Sequence, residues 1–382
     1  MNTIFLKDMA YRRARVVLTT IGVTVLIALI LMIGGIMNGM RIQARQYVES
    51  TGADIWIATE GSGSAFTGFS LVVPEYLGYL NEVPGLKPFS ATPLIFAQAR
   101  PTVRGKKGKG VIVGYKLGKL GGPTKYDLTE GRLFAGSEYE EWSEADLPPR
   151  EVVVDEKMGM EIGERMYIGK HDVKVVGKVK SLMFVLDTPL LFMDLRTAQE
   201  VILQNSLHVN MMIAKTADGF TPEQVAENLE RMDEELKSID VKTTKQTLND
   251  IIEVYVTEPM KAVQFLRVML WLAAGLIVGM ITYVTTLEKT QEIGVLKAIG
   301  ASNGYVTSLI LKQVLLMSAI GVAFGVGLSI IFAVGAPIFV AVDPLESAVV
   351  ALISFVVCNV GGYLAARKAI LVDPMVAFRG EL

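Results

Sequence analysis

Residues Val16–Met37 form a run of 22 residues without a charged side chain. At 1.5 Å of rise per residue, a helix of that length crosses a hydrocarbon core of about 30 Å. Inside lipid each backbone amide must be satisfied within its own segment, which restricts such a run to a helix. The rival reading is a secretory signal peptide, whose apolar region spans only about 7–15 residues before a small-x-small cleavage site. This run is longer and no clear site follows it. Val268–Leu287 and Ser347–Ala365 share its character, and about Tyr305–Val334 is as apolar apart from Lys312 near its beginning. Four transmembrane helices are therefore expected, at 16–37, 268–287, 305–334 and 347–365.

Between the first and second of these runs the composition changes. Across 38–267 charges, Pro, Gly and short β-rich stretches return, as in a water-soluble domain. Ala53–Ala58 alternates like a strand. Gly61–Gly68 is a Gly/Ser-rich loop, and Pro74–Leu80 reads as a short helix. Ala91–Val103 and Val111–Tyr115 read as strands joined by the lysine-bearing turn Gly105–Gly110, a solvated turn rather than a lipid contact. The stretch at about 116–180 reads as an inserted β-rich subdomain, containing the acidic loop Gly136–Arg150 and strands near Glu151–Val154, Ile162–Gly169 and Val173–Val179. Mixed α/β character follows. Thr197-x-x-Glu200 and Thr221-Pro-Glu-Gln224 predict capping boxes, Val225, Leu229, Met232 and Leu236 predict one buried helix face, and Ile239–Thr243 a returning strand. Leu248–Arg267 then leads back to the membrane as a helix with a kink at Pro259. The expected fold class is thus an α-helical membrane protein carrying a large α+β domain, a mixed α/β subdomain with a β-rich insertion.

Several functions are excluded or weakened by composition. Hydrophobic residues make up 51% of the chain and mean hydropathy is +0.42, outside the range of an ordinary soluble enzyme. A formal net charge of −2 leaves no footprint for nucleic acid. Cys358 is the single cysteine and lies in an apolar run, so neither a disulfide framework nor a thiolate metal site is available. His171 and His208 are far apart and in no ligand spacing, which predicts no metal site. The Gly-x4-Gly-Lys-Ser/Thr order of a phosphate loop is absent. No nucleophile, base and orienting acid come together by spacing, which counts against a membrane-anchored extracellular enzyme.

The segment 288–302 is too short and too charged to span a bilayer. Ile293, Leu296 and Ile299 recur at a spacing of three and predict one apolar face, with Glu288, Lys289, Glu292 and Lys297 at its edges. Gly300 is placed to stop a helix and Ser302 to cap the next. The positive-inside rule groups the basic N-terminus (Lys7, Arg12, Arg13, Arg15), this segment, and Arg367, Lys368 and Arg379 on the cytoplasmic side, leaving the large domain outside. Residues 1–15, with an apolar side from Ile4 to Ala10, are expected to lie in the membrane interface, in contact with lipid.

Two stretches carry a resemblance. Glu292-Ile-Gly-Val-Leu-Lys-Ala-Ile-Gly-Ala301 resembles the cytoplasmic loop of the MacB/LolC/FtsX-like ABC permeases. The tail 366–382, with Asp373-Pro374 and Arg379, resembles that family's Asp-Pro-x-x-Ala-Leu-Arg ending, with Phe378 in the Leu position. One span, a large domain, then three spans is also the family's layout, so the resemblance covers the chain in topology.

The resemblance implies the membrane subunit of a mechanotransmission (type VII) transporter in a bacterial inner membrane. The helix at 288–302 becomes a coupling helix docked on a separate ABC ATPase, through Glu288, Glu292, Ile293, Gly294, Leu296, Lys297, Ala298, Gly300, Ala301 and Ser302. Asp373, Pro374 and Arg379 form a tail contact, and ATP and magnesium belong to the partner. It further implies stalks at about 38–50 and 250–266, a second permease copy, an outer loop at 335–346 and, in some systems, a periplasmic adaptor and outer-membrane channel. No ATPase domain is expected on this chain, in the manner of the stand-alone, DevC-like permeases of glycolipid, lipoprotein and haem export. The alternative within the family is an FtsX-like transducer that activates a cell-wall hydrolase. That branch usually has a much smaller outer domain. Gly275-x3-Gly279 and Gly321-x3-Gly325 permit close helix approach, within the chain or across a dimer. Ionisable groups are scarce in the spans, which suits a transporter that leads no polar solute through the bilayer.

Overall fold

Arg13–Ser50 is one continuous helix of 38 residues in the computed structural model of the chain. The structure describes residues 13–62, 66, 70–73, 76–136, 149–204, 208–231 and 239–370. Two compact units emerge, Met1–Gly39 with Met260–Leu382, and Met40–Pro259.

The first unit is helical. Among the described residues four helices are long and apolar enough to cross a membrane: Val16–Ser50, Thr244–Glu288, Asn303–Gly335 and Pro344–Lys368. Local chemistry sets their starts. Ser302 accepts a hydrogen bond from the Tyr305 N–H at 3.2 Å. Asp343 accepts one from the Leu345 N–H at 3.1 Å, and Pro344 opens the last helix where its missing N–H costs nothing. Val23, Ile27, Ile30, Ala274, Val278, Val314, Val350 and Cys358 form the buried core. Both glycine pairs are used inside the chain. A Cβ on Gly321 or Gly325 would lie 2.9 Å from Val23 or Ile27 of the first span, and one on Gly275 or Gly279 would meet Val357 or Gly361 of the last.

The second unit is built on a 13-stranded sheet, counted among the described residues. Its strands are β1 (Ile55–Thr59), β2 (Thr92–Ala99), β3 (Thr102–Val103), β4 (Lys106–Lys107), β5 (Gly110–Tyr115), β6 (Leu128–Gly131), β7 (Glu151–Asp155), β8 (Arg165–Ile168), β9 (His171–Val179), β10 (Met183–Phe184), β11 (Thr188–Asp194), β12 (Met211–Ala214) and β13 (Ile239–Thr243). The spatial order is β13-β1-β12-β2-β5-β11-β7-β9-β8-β3-β4, with β10 on β11 and β6 on β9. Only the β5–β11 and β7–β9 pairs are parallel. The block at 116–180 supplies β6 to β9, which join the same sheet where β7 pairs with β11.

Side chains alternate across a strand, and both faces are covered. Ile55, Ile57, Ile95 and Ile112 enter one core with Leu195, Ala198, Val225 and Leu229 of the flanking helices. Trp56 and Phe96, one position along, point the other way. They meet Tyr47, Phe66 and Phe184, with Phe66–Phe96 and Tyr47–Phe96 ring centroids 4.6 and 5.4 Å apart, and Tyr255 packs on Phe184.

Three local expectations are corrected. Thr197-x-x-Glu200 does not open its helix. Leu195–Leu203 is capped by Asp194, whose carboxylate accepts from the Arg196 N–H, three residues before the expected site. Glu200 instead pairs with Arg150 and lies 3.6 Å from His171 Nδ1. The Arg150 hydrogen bond holds its carboxyl below the ordinary range against the opposing effect of burial. Secondly, the connection between β2 and β5 is not a single turn. Arg104 and Gly105 both have positive φ, a two-residue turn that folds β3 onto β4. Thirdly, the returning helix starts at Thr244, behind a capping box of Thr243 and Gln246. It carries a π-helical turn at Glu253–Thr257 instead of a kink at Pro259. Pro259 cannot donate to the Tyr255 carbonyl and crowds it, and the wider turn just before absorbs that mismatch.

The Thr221–Gln224 box forms as expected, with Gln224 N–H on Thr221 Oγ1 and Thr221 N–H on Gln224 Oε1. Met232 and Leu236, most of the loops at 61–68 and 136–150, the segment 1–12 and the tail with Asp373, Pro374 and Arg379 lie outside the described residues.

Candidate functional site

The link between the second and third spans is a separate helix, Thr290–Ala298. The second span ends at Glu288, and Lys289 turns the chain, with Thr290 Oγ1 donating to the Leu287 carbonyl at 2.5 Å. At the far end the Gly300 N–H donates to Lys297 O and the Ala301 N–H to Leu296 O, both at 3.0 Å. This is a Schellman closure, and it needs the left-handed residue that Gly300 supplies at φ 99°. Ser302 follows at once as the cap of the third span. Both ends of the helix are thus fixed within a few residues.

Its faces divide differently from the expected pattern. Ile293 is buried with Val306 and Ile370, against Ala301 and Ile310. Leu296 and Gly294 are half-buried. Ile299, expected on the same apolar face, is 77% exposed, and Val295 is 60% exposed. The helix ends at Ala298, so the Schellman closure turns Ile299 away from the Ile293 side. Lys297 is not free either. Its Nζ donates to the Ile370 carbonyl at 3.1 Å, where a cation suits the negative end of the last span's helix. The outward surface therefore combines Glu288, Glu292, Val295, Ala298, Ile299, Gly300 and Ser302. Two large aliphatics, Val295 and Ile299, thus share the exposed side with the Glu292 carboxylate.

One polar constellation escaped the sequence. By sequence Arg267 closes the returning helix 248–267 and Glu346 closes the outer loop 335–346, both at the edges of spans. In the structure Arg267 is 6% exposed and its Nη1 lies 3.3 Å from Glu346 Oε1, while Asn38 Nδ2 donates to Glu346 Oε2 at 2.6 Å. The only signal in the sequence is that each charge abuts an uncharged run. Among the described residues no group of three or more His, Cys, Asp or Glu is placed to hold a metal ion.

The family model for the MacB-like periplasmic core domain matches residues 16–232, and that for the FtsX-like permease C-terminal region matches 265–374. The chain belongs to the MacB/FtsX-type ABC transporter permeases. This permease is 24% identical to an uncharacterized ABC transporter permease of Mycobacterium bovis, over 98% of each chain. With the macrolide export ATP-binding/permease protein MacB of Acinetobacter baylyi it shares 25% identity, over 98% of its own length but 58% of that protein. Of solved structures, the periplasmic region of MacB from Actinobacillus actinomycetemcomitans is similar at 15% identity and a TM-score of 0.36, across 52% of this permease and 92% of that chain. With its four apolar helices, the permease is a multi-pass membrane protein. The family to which it belongs works with an ATPase in the ABC system.

Proposed function

We propose that this permease converts ATP hydrolysis by a separate ATPase chain into movement of its large extracytoplasmic domain. That movement drives export, or extraction from the outer leaflet, of a lipid, lipoprotein, peptide or other hydrophobic substrate. Helix Thr290–Ala298 is the coupling helix, on the cytoplasmic side with both termini. The observation that carries this reading is its exposed Glu292–Val295–Ile299 surface on a helix pinned at both ends. A helix so fixed can receive a push without deforming, because its closure, the Ile293 contacts and the Lys297–Ile370 hydrogen bond tie it to the third and last spans.

The scarcity of ionisable groups in the spans supports transmission rather than conduction, since a polar pathway needs groups to replace water around its cargo. A MacB-like domain between the first two spans supports work done outside the inner membrane. A second permease copy completes the unit, and an adaptor and outer-membrane channel are compatible additions.

The test is charge reversal and polar substitution on the exposed face alone, E292K and I299E. Both should leave membrane insertion and thermal stability unchanged while weakening ATPase co-purification at least tenfold, the loss typical of an interface hot spot. An ATPase retained at wild-type stoichiometry in both variants defeats the assignment. K297E is a poorer probe because Lys297 also closes the permease's own fold.

A further inference from the structure

Arg267 lies about 21 residues, or roughly 31 Å along the helix, from the coupling helix end of the second span. Its side chain is 7% exposed. The guanidinium is held on one side by Glu346, in the first turn of the last span, and lies 5.8 Å from the Trp271 ring centroid. Trp271 is itself fixed by its indole N–H, which donates to Ser354 Oγ at 3.0 Å. The second Glu346 oxygen accepts from Asn38 on the first long helix. One carboxylate therefore joins three spans. The Ala341 N–H adds a backbone hydrogen bond to Gly35 O at 2.9 Å.

Stability alone does not account for this arrangement. Burying Arg267 sacrifices its solvation while Glu346 keeps a third of its side chain exposed, and well-packed apolar side chains of similar volume commonly do as well or better. The fit is also incomplete: Arg267 Nε is buried without a partner. Beside it is a cavity of about 10 Å³ lined by Leu31, Gly35, Asn38, Asp343 and Ser347. What the pair does provide is direction. A charged hydrogen bond in a low-dielectric site resists separation and sliding, whereas aliphatic contacts let helices shear.

We propose that Arg267 is a positioning residue which, through Glu346 and Asn38, fastens the first, second and fourth spans into one body during the ATP cycle. This rests on the transmission function proposed above. Spin labels on the lipid-exposed positions L29C, L276C and L352C, in a C358A background, test it in the complex with its ATPase in nanodiscs. In the wild type the pairwise distances among these three sites agree, to within about 2 Å, between nucleotide-free and vanadate-trapped states, as expected of rigid-body motion. R267M makes them state-dependent or roughly twofold broader, since one partner is left unpaired. The charge swap R267E/E346R restores the narrow distribution, which a purely steric role of Arg267 would not allow.

Wild-type distances that change between states overturn the proposal, as does a swap that behaves like R267M. A further label pair, Y126C with L352C, separates the two levels of inference. If that distance stays fixed on trapping, transmission itself fails. If it moves while the three spans also separate, only the fastening role of Arg267 fails.

Discussion

Substituting Gly361 by Ala adds one methyl at the tightest helix contact of the membrane unit. The new Cβ would lie 2.3 Å from the Gly275 carbonyl oxygen, about 1 Å inside ordinary C···O contact. A backbone carbonyl cannot rotate aside, so the second and last spans must move apart, and overpacking of this kind costs about 1–3 kcal/mol. Gly275→Ala is milder, because its nearest neighbour is the Val357 side chain at 3.0 Å. Gly327→Ala is the control. Nothing lies within 4 Å of a Cβ there, and Ala is favoured over Gly in a helix by about 1 kcal/mol. The expected order of stability is G327A at or above wild type, then G275A, then G361A, spread over about 2–4 kcal/mol. At roughly 2–4 °C per kcal/mol, G361A should melt about 2–12 °C below wild type. Cys358, fully buried in this bundle and the chain's single thiol, reports unfolding directly through a thiol-reactive dye on the detergent-solubilised protein. A G361A protein that melts at or above wild type, with G327A below it, refutes the close approach of these two spans.

Other perturbations probe separate parts of the molecule. Gly300→Val forces a β-branched residue to φ 99° at a cost of about 1–2 kcal/mol or more, and should reduce ATPase co-purification while the amount inserted in the membrane stays constant. Glu200 has a lowered folded-state pKa, first through its Arg150 hydrogen bond. Its stabilising contribution is thus present above the unfolded value of about 4.3 and is lost as pH falls through the folded value. E200Q should flatten the acid limb of the stability profile, and an unchanged limb argues against the pair. Phe66→Ala removes a ring from the aromatic cluster and should destabilise the 40–259 unit by about 3–5 kcal/mol, measured by hydrogen exchange of β1 and β2 in the full chain.

What could be read from the sequence follows from which interactions are local. The four spans were legible because a long apolar run in lipid has one structural solution, and Ile239–Thr243 because strand alternation and its flanks are short-range. Gly300 and Ser302 were legible for the same reason: a left-handed stop and a cap depend on neighbouring residues. The cap at Asp194 was missed because Thr197-x-x-Glu200 satisfied the same local pattern three residues later, and the choice depended on Glu200 meeting Arg150, 50 residues away just before β7. Ile299 was placed on the wrong face because a period of three was carried past the end of the helix. Arg267 and Glu346 stand 79 residues apart, and no local rule pairs them. The order of the sheet, with β11 between β5 and β7, is likewise a matter of long-range hydrogen bonding.

The most direct measurement places a photo-crosslinking amino acid at Val295 or Ile299 in the full-length permease within its native membrane. Mass spectrometry then identifies the attached protein. A phosphate-loop ATPase cross-linked at these positions, and absent when the group is placed at lipid-facing Leu276 or Leu352, is the predicted result. Cross-links to lipid alone at Val295 and Ile299, with the ATPase captured elsewhere or not at all, contradict the coupling-helix assignment.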